Sequence, residues 1–379
     1  MPARTYMGVD DRRDHSFPIP RPALSAELGV PNACVDCHQG QGNEWAAESL
    51  RRWGVAPDAA HWGLVHQRLR QGDPDALGAV KSLLEDGNLA PLVKASLLAR
   101  TANVGTRSLA EVLRPWLADP DPLIRRGAVA GTMGLPGDVR WWMLANRLRD
   151  SHPGVRFEVA TALADIPSLS PAARRAAATL FDEYREALSA SRDLAASHNA
   201  LARLEVQLGQ IQPAQSAFER ALEIDPTSLP ALVDFADLRR AQGREQEAGK
   251  LLRQALAAVP DSGTANVAYG LHLVRLQRYE EALEPLSKAT RTPDAQPRFY
   301  HIYAVAQDFL GHRDQALGTL RRGVERWPWN VDLLSTLVMY VDDARSLEVR
   351  QHLDTLVRIA PDLPRVRDLV ERYGPGKTR

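Results

Sequence analysis

The segment YEEALEPLSKATRTPD (residues 279–294) decides the fold, because its pattern recurs every 34 residues in the second half of the chain. A small residue returns at this spacing at Ala214, Ala248, Ala282 and Ala316. Large apolar residues return at Leu201, Phe235, Tyr269 and Tyr303, and again at Phe218, Leu252, Leu286 and Leu320. Small residues let two helices approach closely, and large residues fill the space between helices. The spacing therefore predicts paired helices repeated four times over residues 195–328.

This pattern resembles the tetratricopeptide repeat, a helix–turn–helix unit of about 34 residues. The turn between the paired helices carries Gly209, Gly243, Gln277 and Gly311, and three of the units end at Pro226, Pro260 and Pro328. A degenerate fifth copy is expected over residues 331–362. The resemblance implies that the stacked units bury a continuous core and leave a groove in which a protein partner binds.

A second repeat, with a period of 31 residues, precedes the first and aligns NLAPLVKASLLA (88–99), DPDPLIRRGAVA (119–130) and SHPGVRFEVATA (151–162). Each copy has a proline at a turn, then an apolar residue, then a basic one: Pro91, Val93 and Lys94; Pro122, Ile124 and Arg125; Pro153, Val155 and Arg156. The pattern resembles short HEAT-type repeats. In these the basic residue, early in the second helix, can reach neighbouring carbonyl or carboxylate groups.

The segment PNACVDCHQG (31–40) contains both cysteines of the chain, Cys34 and Cys37, followed directly by His38. The sequence C-x-x-C-H is the attachment signature of c-type haem. Two thiols one helical turn apart can each add to a vinyl group of one porphyrin, and the adjacent imidazole can then bind the iron. The alternatives are a dithiol redox pair, half of a zinc site and a chance match. Because the motif has the haem-attachment spacing, we expect one covalently attached haem c, with His38 as the proximal iron ligand.

The sixth ligand of such an iron has several candidates. His15 is favoured, because it lies in the same Pro-rich arm and could fold back towards the motif. His61, His66 and Met7 are the alternatives. Five other histidines lie in the tetratricopeptide region, where a structural role is expected: His198, His272, His301, His312 and His352. Trp45 and Trp53 could cover a haem or simply pack on their own helix.

These observations predict an all-α protein, a right-handed helical-repeat solenoid preceded by an irregular haem-binding segment. The expected domains are a c-type haem-binding segment (1–58), HEAT-like repeats (59–168), a helical joint (169–194), a tetratricopeptide array (195–364) and a C-terminal tail (365–379). No convincing strand is expected, since no segment alternates apolar and polar residues.

Net charge and apolar content bear on which classes of partner and which targeting segments the sequence supports. Lys and Arg together number 47, as do Asp and Glu, so the formal net charge is zero and gives no argument for a nucleic-acid partner. No apolar run approaches the length of a membrane span. The segment MPARTYMGVDDRRDHSF (1–17) lacks the apolar core of a secretory signal peptide.

The segments RTYMGVDDRRDHSFPIPRP (4–22) and LGVPNACVDCHQGQGNEWAAESLRRW (28–53), followed by the two arrays, resemble bacterial multihaem c-type cytochrome-like proteins with HEAT-like and tetratricopeptide repeats. The resemblance implies a periplasmic or extracytoplasmic location. It also implies that the chain is the C-terminal portion of a longer protein, in which His15 could ligate a different haem.

Three functions follow as hypotheses. The first is electron transfer through one haem, with the repeats docking a redox partner or a complex subunit. The second is a non-redox scaffold that binds a protein in the tetratricopeptide groove. The third, a haem-based oxidoreductase, is the weakest, because no catalytic constellation accompanies the motif. We therefore expect no enzymatic activity from this chain alone.

Overall fold

The computed structural model describes residues 3–6, 10–13, 19–55, 61–104, 108–164, 166, 169–341, 343 and 346–374. The chain divides into two compact units, Met1–Arg68 and Leu69–Arg379. The second unit is a solenoid of paired helices, which confirms the predicted all-helical repeat architecture. Within the described residues, no helix combines the length and the apolar character of a membrane span.

The first unit opens with two antiparallel strands, β1 (Ala3–Tyr6) and β2 (Asp10–Arg13), in a register that pairs Ala3 with Arg13. The expectation of an irregular arm without strands is wrong here. Strands pair through backbone hydrogen bonds, so two short polar strands can form without the apolar alternation on which the sequence prediction relied. The helices that follow are α1 (Pro22–Leu28), α2 (Ala33–Cys37), α3 (Asn43–Arg52) and α4 (Trp62–Arg70), of which α4 runs into the second unit.

Helices α1 and α3 pack together and form the core of this unit. Proline begins α1 at Pro22, where its missing N–H costs no hydrogen bond, and Gly29 ends the helix with a left-handed φ of 64°. Ala46 of α3 is 2% exposed, and Ser25 and Ser49 are buried as well. The buried face of α3 is therefore built from small residues, which allow close contact with α1.

The second unit begins with the region of the 31-residue repeat. Its helices are α5 (Ala76–Glu85), α6 (Pro91–Arg100), α7 (Leu109–Leu113), α8 (Pro122–Gly131), α9 (Gly137–Leu144), α10 (Pro153–Ala164) and the long α11 (Pro171–Ala190). The three repeated prolines each stand at the first position of a helix: α6, α8 and α10. Helix α8 packs against both α6 and α10.

The basic residues of this repeat contact carbonyl and carboxylate groups, as predicted. Lys94 Nζ donates a hydrogen bond to the carbonyl of Leu84 at 2.8 Å. Arg125 donates to the carbonyl of Asp119 at 2.9 Å and, with two nitrogens, to both carboxylate oxygens of Asp150 at 2.7 and 2.9 Å. Arg156 donates to the carbonyl of Asp150 at 2.7 Å and also pairs with Glu183. Each basic side chain thus ties its helix to carbonyl groups of the preceding helix or loop, and Arg125 and Arg156 also reach carboxylates further along the chain.

Five helix pairs and a last helix complete the second unit. The pairs are α12 (Ala195–Gln207) with α13 (Ile211–Ile224), α14 (Leu229–Ala241) with α15 (Glu245–Ala258), α16 (Gly263–Arg275) with α17 (Tyr279–Ala289), α18 (Pro297–Phe309) with α19 (Arg313–Arg326), and α20 (Val331–Tyr340) with α21 (Leu347–Ile359); α22 is Pro364–Tyr373. The residues that recur every 34 positions lie in the core: Phe218 stacks on Phe235 with ring centroids 5.2 Å apart. The turn residue Gln277 has a φ of 61°, the conformation its glycine counterparts adopt.

The crossing of α6 and α8 depends on Gly127. A Cβ built on Gly127 would lie 2.6 Å from Cα of Ala95 and closer still to its carbonyl oxygen. Backbone cannot move aside as a flexible side chain can, so Gly127→Ala is expected to lower the free energy of unfolding by about 2 kcal/mol. Gly78→Ala in α5 is the matched control. A Cβ there meets no atom within 4 Å, so we expect stabilisation of about 0.5–1 kcal/mol. Urea unfolding of both variants measures the difference, and equal midpoints would contradict this description of the crossing.

Candidate functional site

The two cysteines lie on the short helix α2, and His38 follows its last residue. Asn32 caps α2, because its side-chain oxygen accepts a hydrogen bond from the Cys34 N–H at 3.0 Å. The backbone N–H of His38 donates to the Cys34 carbonyl at 2.9 Å, so the histidine directly follows the helical turn. The Asn32 side chain also donates to Asn43 Oδ1 at 3.0 Å and so joins this turn to the start of α3.

The donor set of this turn consists of two thiols and one imidazole. Cys34 is half-buried, while Cys37 and His38 are exposed, and neither thiol is in a disulfide. Among the described residues, no three His, Cys, Asp or Glu side chains converge as metal ligands. The vinyl groups of haem lie at the edge of the ring, so the two thiols and the imidazole need not meet at one point. The turn therefore carries the donor types that a c-type haem would need, two thiols and one imidazole.

An aromatic contact accompanies His38. The ring of Trp45, on the first turn of α3, lies against the imidazole with ring centroids 4.7 Å apart and planes at 51°. Trp45 itself is half-buried, whereas Trp53 at the end of the same helix is 76% exposed. The sequence pattern alone did not distinguish these two tryptophans.

The candidates for the sixth iron ligand are placed only in part. His15 and Met7 lie outside the described residues. His61 precedes α4, and its Nδ1 accepts a hydrogen bond from the N–H of Gly63 at 3.1 Å. Trp62 contacts the rings of both His61 and His66, with centroids 5.1 and 6.4 Å away. The assignment of the sixth ligand stays a prediction.

Three histidines of the repeat region, His272, His301 and His352, lie in buried or partly buried surroundings. His272 is 3% exposed, and its Nδ1 is 2.6 Å from Glu245 Oε1. Burial lowers the pKa of His301, with Asp332 opposing and Arg365 assisting that shift. Burial likewise lowers the pKa of His352, which lies near Glu348 and Arg321. These environments agree with the structural role expected from the sequence.

The first helices of the pairs form a second candidate site. Helix α12 contacts α14, α14 contacts α16, and α18 contacts α20. Between α12 and α14, Asn199 Nδ2 donates a hydrogen bond to Asp234 Oδ2 at 3.1 Å, and Arg203 Nε lies 3.9 Å from the same oxygen. Burial raises the pKa of Asp234 despite these two partners. First helices thus lie side by side in the first three pairs and again in the last two.

One repeat position of this layer is exposed in four of its five copies, whereas the third copy, Leu271, is partly buried against the core. At intervals of 34 residues it holds Arg203, Asp237, Leu271, Val305 and Met339. The side chains of Arg203 and Asp237 are 62% and 67% exposed, and Val305 and Met339 are 42% and 44% exposed. Phe309, one turn after Val305, is 66% exposed, and its ring lies 4.5 Å from that of Tyr279. We call the five exposed residues (203, 237, 305, 309 and 339) the first-helix face. It is charged in the first two copies and apolar in the last two.

Sequence reasoning missed the first-helix face, because it searched for repeated positions that stay apolar or small in every copy. Those positions identify the core. The signal that would have found the face is a position that keeps its place in the repeat while its chemistry changes from charged to apolar.

Comparisons with known proteins agree with the helix pairs. The family model described as tetratricopeptide repeat matches residues 206–262. No curated protein matches the chain significantly. Among solved structures, the chain is similar to YrrB, which is described as a TPR protein with an unusual peptide-binding site. The two share 20% sequence identity with a TM-score of 0.38, and the match covers 50% of this chain and 97% of YrrB.

Two further solved structures are similar as well. Pseudomonas aeruginosa PilF shares 22% identity, with TM-score 0.42 and coverage of 51% and 84%. PilW, described as a type IV pilus biogenesis factor, shares 16% identity, with TM-score 0.44 and coverage of 58% and 99%. Similarity at this level does not transfer a binding partner to this chain. The tetratricopeptide-repeat model therefore covers the end of α12, α13, α14 and α15, and the later helix pairs continue the same 34-residue period.

Proposed function

We propose that the chain is a helical scaffold that binds a protein partner on the first-helix face. The observation that carries this proposal is the exposed repeat position that changes from charged to apolar along the array. Exposed Val305, Phe309 and Met339 would be covered by an apolar stretch of the partner, because covering apolar surface is the main favourable contribution to association. Arg203 and Asp237 would lie beside its polar end and fix the direction of binding.

Charge substitutions on this face test the proposal. In the full chain, Val305→Glu with Met339→Glu is expected to weaken binding of partners captured from the source cells at least about tenfold, because each carboxylate would be buried without a counter-ion. The matched control is Val259→Glu with Val357→Glu. These valines are 39% and 44% exposed, at the end of α15 and in α21, two second helices of their pairs.

The control variant should retain the partner at wild-type affinity. Equal binding by both variants, or a folded wild-type chain that captures no partner, would contradict the proposal. Thermal unfolding followed by circular dichroism checks that each variant is folded.

We also propose that Cys34 and Cys37 bind haem c covalently and that His38 is the proximal iron ligand. The capped turn that presents two thiols and an imidazole favours this second function, and the family resemblance supports it. The haem would supply one-electron transfer. His15, His61, His66 and Met7 are the candidates for the sixth ligand.

Together these proposals describe an electron-transfer protein whose repeats dock a redox partner or a complex subunit. Because haem of this type is attached outside the bacterial cytoplasm, the proposed location is periplasmic or extracytoplasmic. Without the haem, the chain would act as a scaffold alone. Cysteine variants therefore separate the two functions: they are expected to remove the haem and to leave binding at the first-helix face intact.

A further inference from the structure

We infer that Trp45 is a positioning residue for His38 and that it sets the reduction potential of the attached haem. This inference rests on the proposed haem attachment. Trp45 lies against the His38 ring at a centroid distance of 4.7 Å. His38 is otherwise exposed on its turn, so this contact restricts how the imidazole can rotate.

The stretch of α3 that carries Trp45 is held in place by several contacts. The side chain of Asn32, 3% exposed, bonds both to the Cys34 N–H and to Asn43, two residues before Trp45. The next residue, Ala46, is buried in the core of the first unit. The Trp45 carbonyl also accepts a hydrogen bond from Ser49 Oγ at 2.9 Å. One buried asparagine therefore fixes the thiol-bearing turn and the helix of the tryptophan together.

This arrangement gives Trp45 two effects on a haem iron bound by His38. Groups that contact a ligating histidine orient its ring and tune the metal. The indole also covers part of the ligand that would otherwise face water. The ferric state carries one more positive charge than the ferrous state, so water stabilises it preferentially. Removing the indole should therefore lower the midpoint potential.

The test uses the full chain, fused to a periplasmic signal and matured with haem, and measures the midpoint potential by spectroelectrochemistry. Trp45→Ala is expected to shift the potential downward, and Trp45→Phe, which keeps an aromatic ring, to shift it less. Trp53→Ala is the matched control, because Trp53 is a 76% exposed tryptophan at the end of the same helix. The midpoint potential of the Trp53→Ala variant should equal that of the wild type. Covalent haem content should be the same in all four proteins.

A wild-type potential in Trp45→Ala, or an equal shift in Trp53→Ala, would overturn the role of Trp45 while leaving haem attachment standing. A folded wild-type chain that emerges from maturation without covalent haem would overturn the attachment proposal and this inference together. If Trp45→Ala fails to fold by circular dichroism, Trp45→Phe alone decides between a lowered and an unchanged potential.

Discussion

Replacing Cys34 and Cys37 together with serine is expected to abolish covalently bound haem. A serine hydroxyl does not add to a vinyl group as a thiolate does, and the chain has no other cysteine. Each single variant keeps one thiol of the turn, so it should retain a reduced amount of haem through one thioether bond. The measurement is haem absorbance that stays with the polypeptide after denaturing gel electrophoresis.

Val35→Ala is the control for this change, because it alters the same turn without touching a thiol or the histidine. It should carry haem at the wild-type level. Haem that stays with the denatured double-serine variant would contradict the assignment of both cysteines. Since the two cysteines lie in the first unit, the helices of residues 195–374 should be unaffected, as measured by far-ultraviolet circular dichroism.

Asp150→Ala is expected to cost about 3–5 kcal/mol of unfolding free energy, because it leaves Arg125 buried without its counter-ion. The Arg125 and Asp150 side chains are only 11% and 3% exposed, and their pairing is bidentate. Asp150 also accepts a hydrogen bond from the His152 N–H at 3.0 Å. The neighbouring pair of Arg126 with Glu158 provides the control. There Arg126 is 58% exposed, so Glu158→Ala should cost less than about 1 kcal/mol.

The same pair predicts a pH dependence. Burial opposes ionisation of Asp150, but hydrogen bonds from Arg125 and from the His152 N–H outweigh it, so the pKa of Asp150 is lowered from 3.8. A carboxyl group whose pKa is lower in the folded state than in the unfolded state stabilises the fold at pH values above its unfolded-state pKa. This stabilisation is lost as the pH falls through the folded-state pKa. The difference in unfolding free energy between wild type and Asp150→Ala should therefore be full at neutral pH and shrink below pH 3.8. A cost that is the same in acid would contradict an ionised Asp150.

The repeats could be predicted because they depend on side-chain volume at fixed spacing. Ala282, Leu286 and Leu320 are fully buried at the positions that the 34-residue period assigned to the core. The reach of Arg125 to carbonyl and carboxylate groups also followed from its place early in a helix, although its partner Asp150 is 25 residues away and could not be named in advance.

Other features were beyond the sequence pattern for physical reasons. The pairing of β1 with β2 uses backbone groups, which every residue has. The contact of Trp45 with His38 depends on the angle between α2 and α3, set by the bond of Asn32 to Asn43 across 11 residues. The first-helix face depends on which side of each helix pair stays uncovered, and this is decided by packing between repeats.

The most direct test of the docking proposal is site-specific photocrosslinking in the full chain. A benzophenone amino acid placed at Phe309 lies on the first-helix face, and one placed at Val357 lies on a second helix at a position that is also exposed. With a bound partner, we predict a covalent product from position 309 and none from position 357. A product from position 357 alone would place the partner on another surface and contradict the account.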